Sequence, residues 1–441
     1  MLIQIQSIKS REVLNSRRFP ALEVDVILKD GSTGTASIPS GTSKGAREAK
    51  EVIDSDHKRY RGSGVKCAIK NIAHYIAPEL EDYASESLED IDKRVIELDG
   101  TPNKEKLGAN ACLGVSLATL KALAAASGRP LFDFLGNRET YTLPTPLMNI
   151  MGKGSHTDSK LDFQDFIIIP AGASNFSEAT EFGIEVFHSL KDLLHKAGIL
   201  SAICDTGCFA PILSSNEEAI EYIIAAIEKA GLKPGKDIFL GLDMASSSSY
   251  RNGKYFYRSE NRYISTDQLI DRFEKLVHDY PIISIEDGLS ENDWQGWHQL
   301  TQRLGQKVQL VGDDLFTTNV SLLKEGIAAG IANSILIKPN QIGTITETLL
   351  AIEESKASKY QSIFSVRAGE TEDVSLADLA VALDVHQIKL GSISSADKLL
   401  KINQLLRIES ELGTAASFAG YSPYQNLSIP TQMESIEYKV A

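Results

Sequence analysis

Apolar and polar residues alternate along Leu2–Ile8, Ala21–Leu28 and Ser32–Ile38, and this two-residue period predicts three strands. The last two join through Lys29-Asp30-Gly31, a tight hairpin signal. From Ala46 to about Leu135 the period changes, and apolar residues recur three and four apart near 65–77, 87–97 and 109–127. The last of these, ANACLGVSLATLKALAAAS, has the Ala and Leu content of a buried helix. Together these elements predict an α+β domain over residues 1–140. Tyr141-Thr-Leu-Pro-Thr-Pro146, with two prolines and no helical period, marks its boundary.

Beyond it, short apolar runs at 166–170, 238–243, 282–287, 308–314, 334–339, 362–367 and 386–391 alternate with helical periodicity at 214–230, 266–279, 318–330, 342–357 and 372–383. Repeated βα units imply a parallel sheet, and so many in succession favour a closed (β/α)8-type barrel over residues 141–415. The fold class expected is therefore α/β, a TIM-like barrel behind an α+β domain. Residues 416–441, with YSPYQ and IPTQ, read as a loosely held tail.

Composition narrows the function. The 441 residues carry 45 Lys+Arg and 59 Asp+Glu, a formal net charge of −14, which argues against general nucleic-acid or anionic-membrane partners. A small anionic substrate held by local cations or a metal remains compatible. The first residues lack the basic-then-apolar layout of a signal peptide, and no apolar run approaches the ~18 residues of a membrane span. Cys67, Cys112, Cys204 and Cys208 are too scattered for a disulfide framework and read as free thiols, so the expected location is the cytoplasm.

In a parallel barrel, a charge that ends an apolar strand lies on the rim where active sites are built. Asp243, Glu286 and Asp313 end three successive runs and Lys338 ends the next. Three carboxylates at one mouth need a compensating cation, and hard oxygen ligands suit Mg2+. A lysine beside such a cation can take a proton from carbon, while the metal stabilises the dianionic enolate left behind. Lys389, ending the last run, adds a second cation to the rim.

The chain resembles enolase (phosphopyruvate hydratase) over nearly its whole length. The stretches that carry the likeness include PSGTSKG (39–45), ELDGTPNKEKLGANACLGVSLA (97–118), GSH (154–156), GLDMASS (241–247), SIED (284–287), VGDDLFTTN (311–319), KPNQIGTITET (338–348), AGETED (368–373) and NQLLRIESELG (403–413). The resemblance implies an N-terminal α+β domain capping a modified (β/α)8 barrel, usually in a homodimer or larger homo-oligomer. It implies Mg2+ ligands at Asp243, Glu286 and Asp313, and a loop serine reaching a second Mg2+ at Ser43. It further implies the α-proton base at Lys338, the lysine on the substrate carboxylate at Lys389, the active-site histidine at His156, a glutamine at Gln164 and the phosphate arginine at Arg367.

The departures from the family pattern fall on one side of the reaction. The family's GDEGG is Cys204-Asp205-Thr206-Gly207-Cys208 here, so Thr206 replaces the glutamate that acts as general acid. A hydroxyl is far too weak an acid for that role near neutral pH. Asp165 is one methylene shorter than the family's glutamate, and Val366-Arg367-Ala368 replaces His-Arg-Ser. Proton abstraction therefore looks intact while the acid and phosphate side is rebuilt. This pattern leads to a Mg2+-dependent lyase that forms an enolate from a small phosphorylated or phosphonylated carboxylic acid, altered from 2-phosphoglycerate dehydration. Two alternatives accompany it: authentic phosphopyruvate hydratase of glycolysis, with Asp165 or Asp205 as acid, and an inactive paralogue kept as a binding or scaffold protein.

Overall fold

A computed structural model describes residues 2–41, 45–81, 83–153, 159–199, 201–204 and 207–428. The expected strands form an antiparallel meander of β1 (Ile3–Leu14), β2 (Pro20–Leu28) and β3 (Thr33–Ile38), with β4 (Ala84–Ser85) on the other edge of β1. β1 runs on past Ile8 because its charged half pairs across the ladder, with Arg11 against Glu23 and Asp25 at 2.7 and 2.6 Å. A continuous helical stretch from Lys66 to Leu80 fulfils the first helical expectation, and α1 (Leu88–Asp99) and α2 (Ala109–Ser127) fulfil the other two. α1 starts where Ser87 accepts the Asp90 amide and stops at left-handed Gly100.

α2 lies flat on the sheet. A Cβ on Gly34 of β3 would sit 2.1 Å from the Ala118 carbonyl oxygen, so only glycine lets the two backbones approach this closely. Contrary to the sequence expectation, α2 is long and apolar enough to cross a membrane; in the folded chain, 78% of that apolar window is buried inside the protein.

Among the described residues eight strands close the barrel: β5 (Thr145–Gly152), β6 (Asp165–Ile169), β7 (Phe239–Asp243), β8 (Ile282–Glu286), β9 (Gln309–Gly312), β10 (Ser334–Ile337), β11 (Gln361–Ser365) and β12 (Gln387–Gly391). β12 pairs with β5 to complete the ring. The sheet is not uniformly parallel as expected, because β6 runs antiparallel to both β5 and β7. Only residues 153–164 join β5 to β6, and no crossover helix is described there, so the second strand returns beside the first. Two helices, Phe176–Lys196 and Asn216–Lys229, then precede β7. Inside the ring, Leu147, Ile167, Ile169, Ile283, Val311, Leu336 and Ile363 pack into a closed apolar core.

The C-terminal segment differs from expectation as far as Ser428. Ala416–Phe418 pairs with Tyr141–Leu143. Tyr424 is fully buried in the core inside the ring, and its hydroxyl donates to Gln387 at 2.8 Å. Its aromatic ring removes apolar surface from water at a barrel end, which the polar composition of the segment does not reveal. The cysteine expectation also needs correction. Cys204 and Cys208 form a disulfide, since the turn between strands Ser201–Ile203 and Phe209–Pro211 brings their Cα atoms to 5.5 Å; Cys67 and Cys112 are free.

Candidate active site

Strand geometry assembles the rim. Asp243 and Glu286 are the last residues of β7 and β8 and are register partners. Asp313 follows β9, Lys338 follows β10, and Lys389 lies in β12 opposite Ser365. Asp165 reaches the same rim by a different route: because β6 is reversed, its first residue stands beside Asp243 and Gly152. These six side chains, with Gln164, Val366, Arg367 and Ala368, line one cavity of about 80 Å³. Ser43, His156, Thr206 and Asp205 lie outside the described residues.

The lysines thread the carboxylates. Lys389 Nζ donates to Asp243 at 2.8 Å and to Glu286 at 2.7 Å, while Lys338 Nζ donates to Asp313 at 2.5 Å. Gln164 donates to Asp243 at 3.2 Å. Burial opposes the Lys389 charge, but Asp243, Glu286 and Asp165 outweigh it and raise its pKa well above the ordinary value. Burial, then Asp243, pushes Glu286 up to about 8 and Asp165 up to about 7, with Lys389 offsetting part of each rise. At Asp313 burial works the other way from Lys338, and Lys338 with Arg367 and Gln341 holds the carboxyl below the usual range.

The donor set fits a hard divalent cation. Among the described residues Glu286 Oε1 is buried with no hydrogen-bond partner, while Oε2 accepts from Lys389, so one acceptor of this cavity's lining is available to a hard cation. Asp243, Glu286 and Asp313 would be the residues to hold such an ion. Among the described residues, however, the carboxylates that bring one oxygen each within 4.8 Å of one another are Asp287, Asp313 and Asp314, not the Asp243, Glu286 and Asp313 trio, whose oxygens are engaged by Lys389 and Lys338. Asp287 is already engaged, accepting the Asp313 and Asp314 amides at 3.0 Å each from a left-handed backbone at φ 43°. It orients Asp313 from behind rather than facing the cavity.

Sequence reasoning missed this supporting layer. Arg367 pairs with buried Glu48 of the N-terminal domain at 3.1 Å. Gln341 bridges Glu48 to Asp313, donating at 3.2 and 2.9 Å. Buried Lys398 donates to the Arg367 carbonyl at 2.9 Å and so anchors the turn carrying Val366 and Ala368. The available signals were the acidic doublets Glu286-Asp287 and Asp313-Asp314 and the Lys398/Lys401 pair on one helix face; nothing local pointed to Glu48. A larger cavity of about 650 Å³ lies elsewhere, lined by apolar side chains such as Leu120, Leu123 and Phe134 with Lys29, Asp30, Glu86, Glu89 and Glu353 among its other residues.

Two family models match the chain. The enolase N-terminal domain covers residues 5–135, and the enolase C-terminal TIM barrel domain covers residues 140–427. Proteins of this type are lyases that generally use Mg2+.

Proposed function

The chain belongs to the enolase family, and on that premise we propose that it is a Mg2+-dependent carbon–oxygen lyase acting on a small phosphorylated or phosphonylated carboxylic acid other than 2-phosphoglycerate. Lys338 Nζ takes the α-proton, and the electron pair moves toward the substrate carboxylate. Lys389 contacts that carboxylate, and Gln164 keeps Asp243 oriented. Asp243, Glu286 and Asp313 would be the residues to hold Mg2+, which would supply positive charge beside the substrate carboxylate. The C–O bond then breaks, and with Thr206 at the acid position the leaving group departs as a stable anion without a delivered proton.

The observation that supports this reading is the sharing of one cavity by the Lys338 side chain and Asp243, Glu286 and Asp313, with Glu286 Oε1 buried and without a hydrogen-bond partner among the described residues. Incubating the full chain with Mg2+ and a panel of such acids in deuterated water tests it. The NMR signal of the α-proton should disappear, and Lys338→Ala should slow that loss by a factor of at least about 100. No exchange with any acid, or equal exchange by the variant, overturns the reading.

One observation favours ordinary phosphopyruvate hydratase as the second reading: Asp165 is a buried carboxyl in the same cavity as Lys338. Formation of phosphoenolpyruvate from 2-phosphoglycerate, lost in Asp165→Asn, would select it.

A further inference from the structure

A disulfide closes a short turn beside the mouth. Cys204 and Cys208, four positions apart, join the ends of strands Ser201–Ile203 and Phe209–Pro211, and this hairpin continues the barrel sheet through the register of Phe209 with Met151 of β5. The cross-link is not what holds the hairpin. A bond that closes so short a loop takes less entropy from the unfolded chain than one that closes a long loop. The backbone is paired without it: the Cys204 amide donates to the Cys208 carbonyl at 2.9 Å, and Ala202 pairs with Ala210. These contacts keep the two Cα atoms at 5.5 Å, within the span a disulfide requires, and none of them depends on the sulfur–sulfur bond.

The two sulfurs differ in access. Cys208 is fully buried, whereas Cys204 is half-buried and follows the exposed residues Ala202 and Ile203. An incoming thiolate therefore meets Cys204 first. Cys208 faces the mouth, with Sγ 3.8 Å from Oδ1 of buried Asp165, within reach of an S–H···O bond. Gly152, at the end of β5, permits this contact: a Cβ there would lie 3.0 Å from the sulfur and 2.8 Å from the Asp165 oxygen. As half of a disulfide Cys208 has no hydrogen to give. As a thiol it becomes a donor aimed at a carboxyl that lines the mouth.

We propose that Cys204–Cys208 is a thiol–disulfide exchange site for a dithiol reductant, in which Cys204 is the sulfur attacked and Cys208 carries the reduced state to the mouth by donating to Asp165. One thiolate of the dithiol bonds to Cys204 Sγ, the protein S–S bond breaks, and its electron pair leaves on Cys208, which takes a proton. The second thiolate of the dithiol then attacks its own sulfur in the mixed disulfide and expels Cys204, which is protonated in turn. The dithiol has given two electrons and two protons and ends as a disulfide; the protein ends with two thiols. The inference goes beyond the lyase reading and does not need it.

The full chain carrying Cys67→Ser, which removes the exposed free thiol, serves as the test protein. After purification in air and unfolding in iodoacetamide, peptide mass spectrometry should find Cys204 and Cys208 unmodified; dithiothreitol applied to the native protein beforehand should leave both alkylated. With Cys208→Ser added, the native protein should take glutathione from glutathione disulfide on Cys204 at least about tenfold faster than the Cys204→Ser protein takes it on Cys208. Free thiols at both positions before reduction, resistance to dithiothreitol short of unfolding, or equal rates in the two variants overturns the exchange site. The link to Asp165 is read in the infrared. The S–H stretching band of Cys208 in the reduced protein, assigned by its loss in Cys208→Ser, should move to higher frequency in Asp165→Asn, whose amide oxygen is a weaker acceptor than a carboxylate. A band that does not move overturns the link. Neither readout uses a substrate, so both are decided apart from the lyase reading.

Discussion

Lys389→Met tests how the mouth manages its charge. The amine bridges Asp243 and Glu286 at 2.8 and 2.7 Å, with all three groups buried. Removing it leaves adjoining buried carboxylates without their counter-ion, and breaking a buried pair in this way costs about 3–5 kcal/mol. For 441 residues at ~2.1 cal/mol/K each, this corresponds to a fall in Tm of roughly 3–5 °C. Differential scanning fluorimetry in EDTA should show that fall at about pH 7. Mg2+ at ~100 times the variant's Kd should return about 2.7 kcal/mol, and at that same concentration the upward shift should exceed that of the wild type because no ammonium competes for the oxygens. An unchanged Tm in EDTA, or a Mg2+ shift no larger than the wild type's, would refute both the counter-ion role and the cation site.

Two further outcomes follow from the interface between the domains. Glu48→Ala removes the carboxylate of the buried pair with Arg367 and should cost about 3–5 kcal/mol in urea unfolding; a loss below about 1 kcal/mol would show that the pair does not hold the N-terminal domain over the mouth. Asp92 of α1 accepts the Thr346 amide at 2.9 Å, and burial pushes its carboxyl up to about 6 from 3.8. The folded state retains that proton, so stability should decline by up to about 3 kcal/mol as pH rises from about 4 to about 6, and Asp92→Asn should remove this part of the profile; an identical profile in the variant would exclude Asp92 as its source.

Much of the rim was legible in one dimension. An apolar run that stops on a charge is a local pattern, and it located Asp243, Glu286, Asp313 and Lys338 before any coordinates, because a parallel strand carries its end to the mouth; Lys389 reaches the same cavity from within its strand Gln387–Gly391. The same rule failed at Asp165, which begins its strand; only the likeness to enolase marked it. The helices of the N-terminal domain and most barrel strands were legible for the same reason, since the apolar period is a property of neighbours in sequence.

Strand direction, counter-ions and enclosure were not legible, because each depends on residues that are distant along the chain. The reversal of β6 follows from how residues 153–164 return, not from the period of FIII itself. The pairing of Arg367 with Glu48, 319 residues away, needs the two domains docked, and so does the link from Gln341 to Glu48. Tyr424 reads as part of a polar tail until the barrel places an apolar interior around it. A linear pattern specifies which residues prefer burial or water; which charges face one another, and what remains unpaired, is settled by packing in three dimensions.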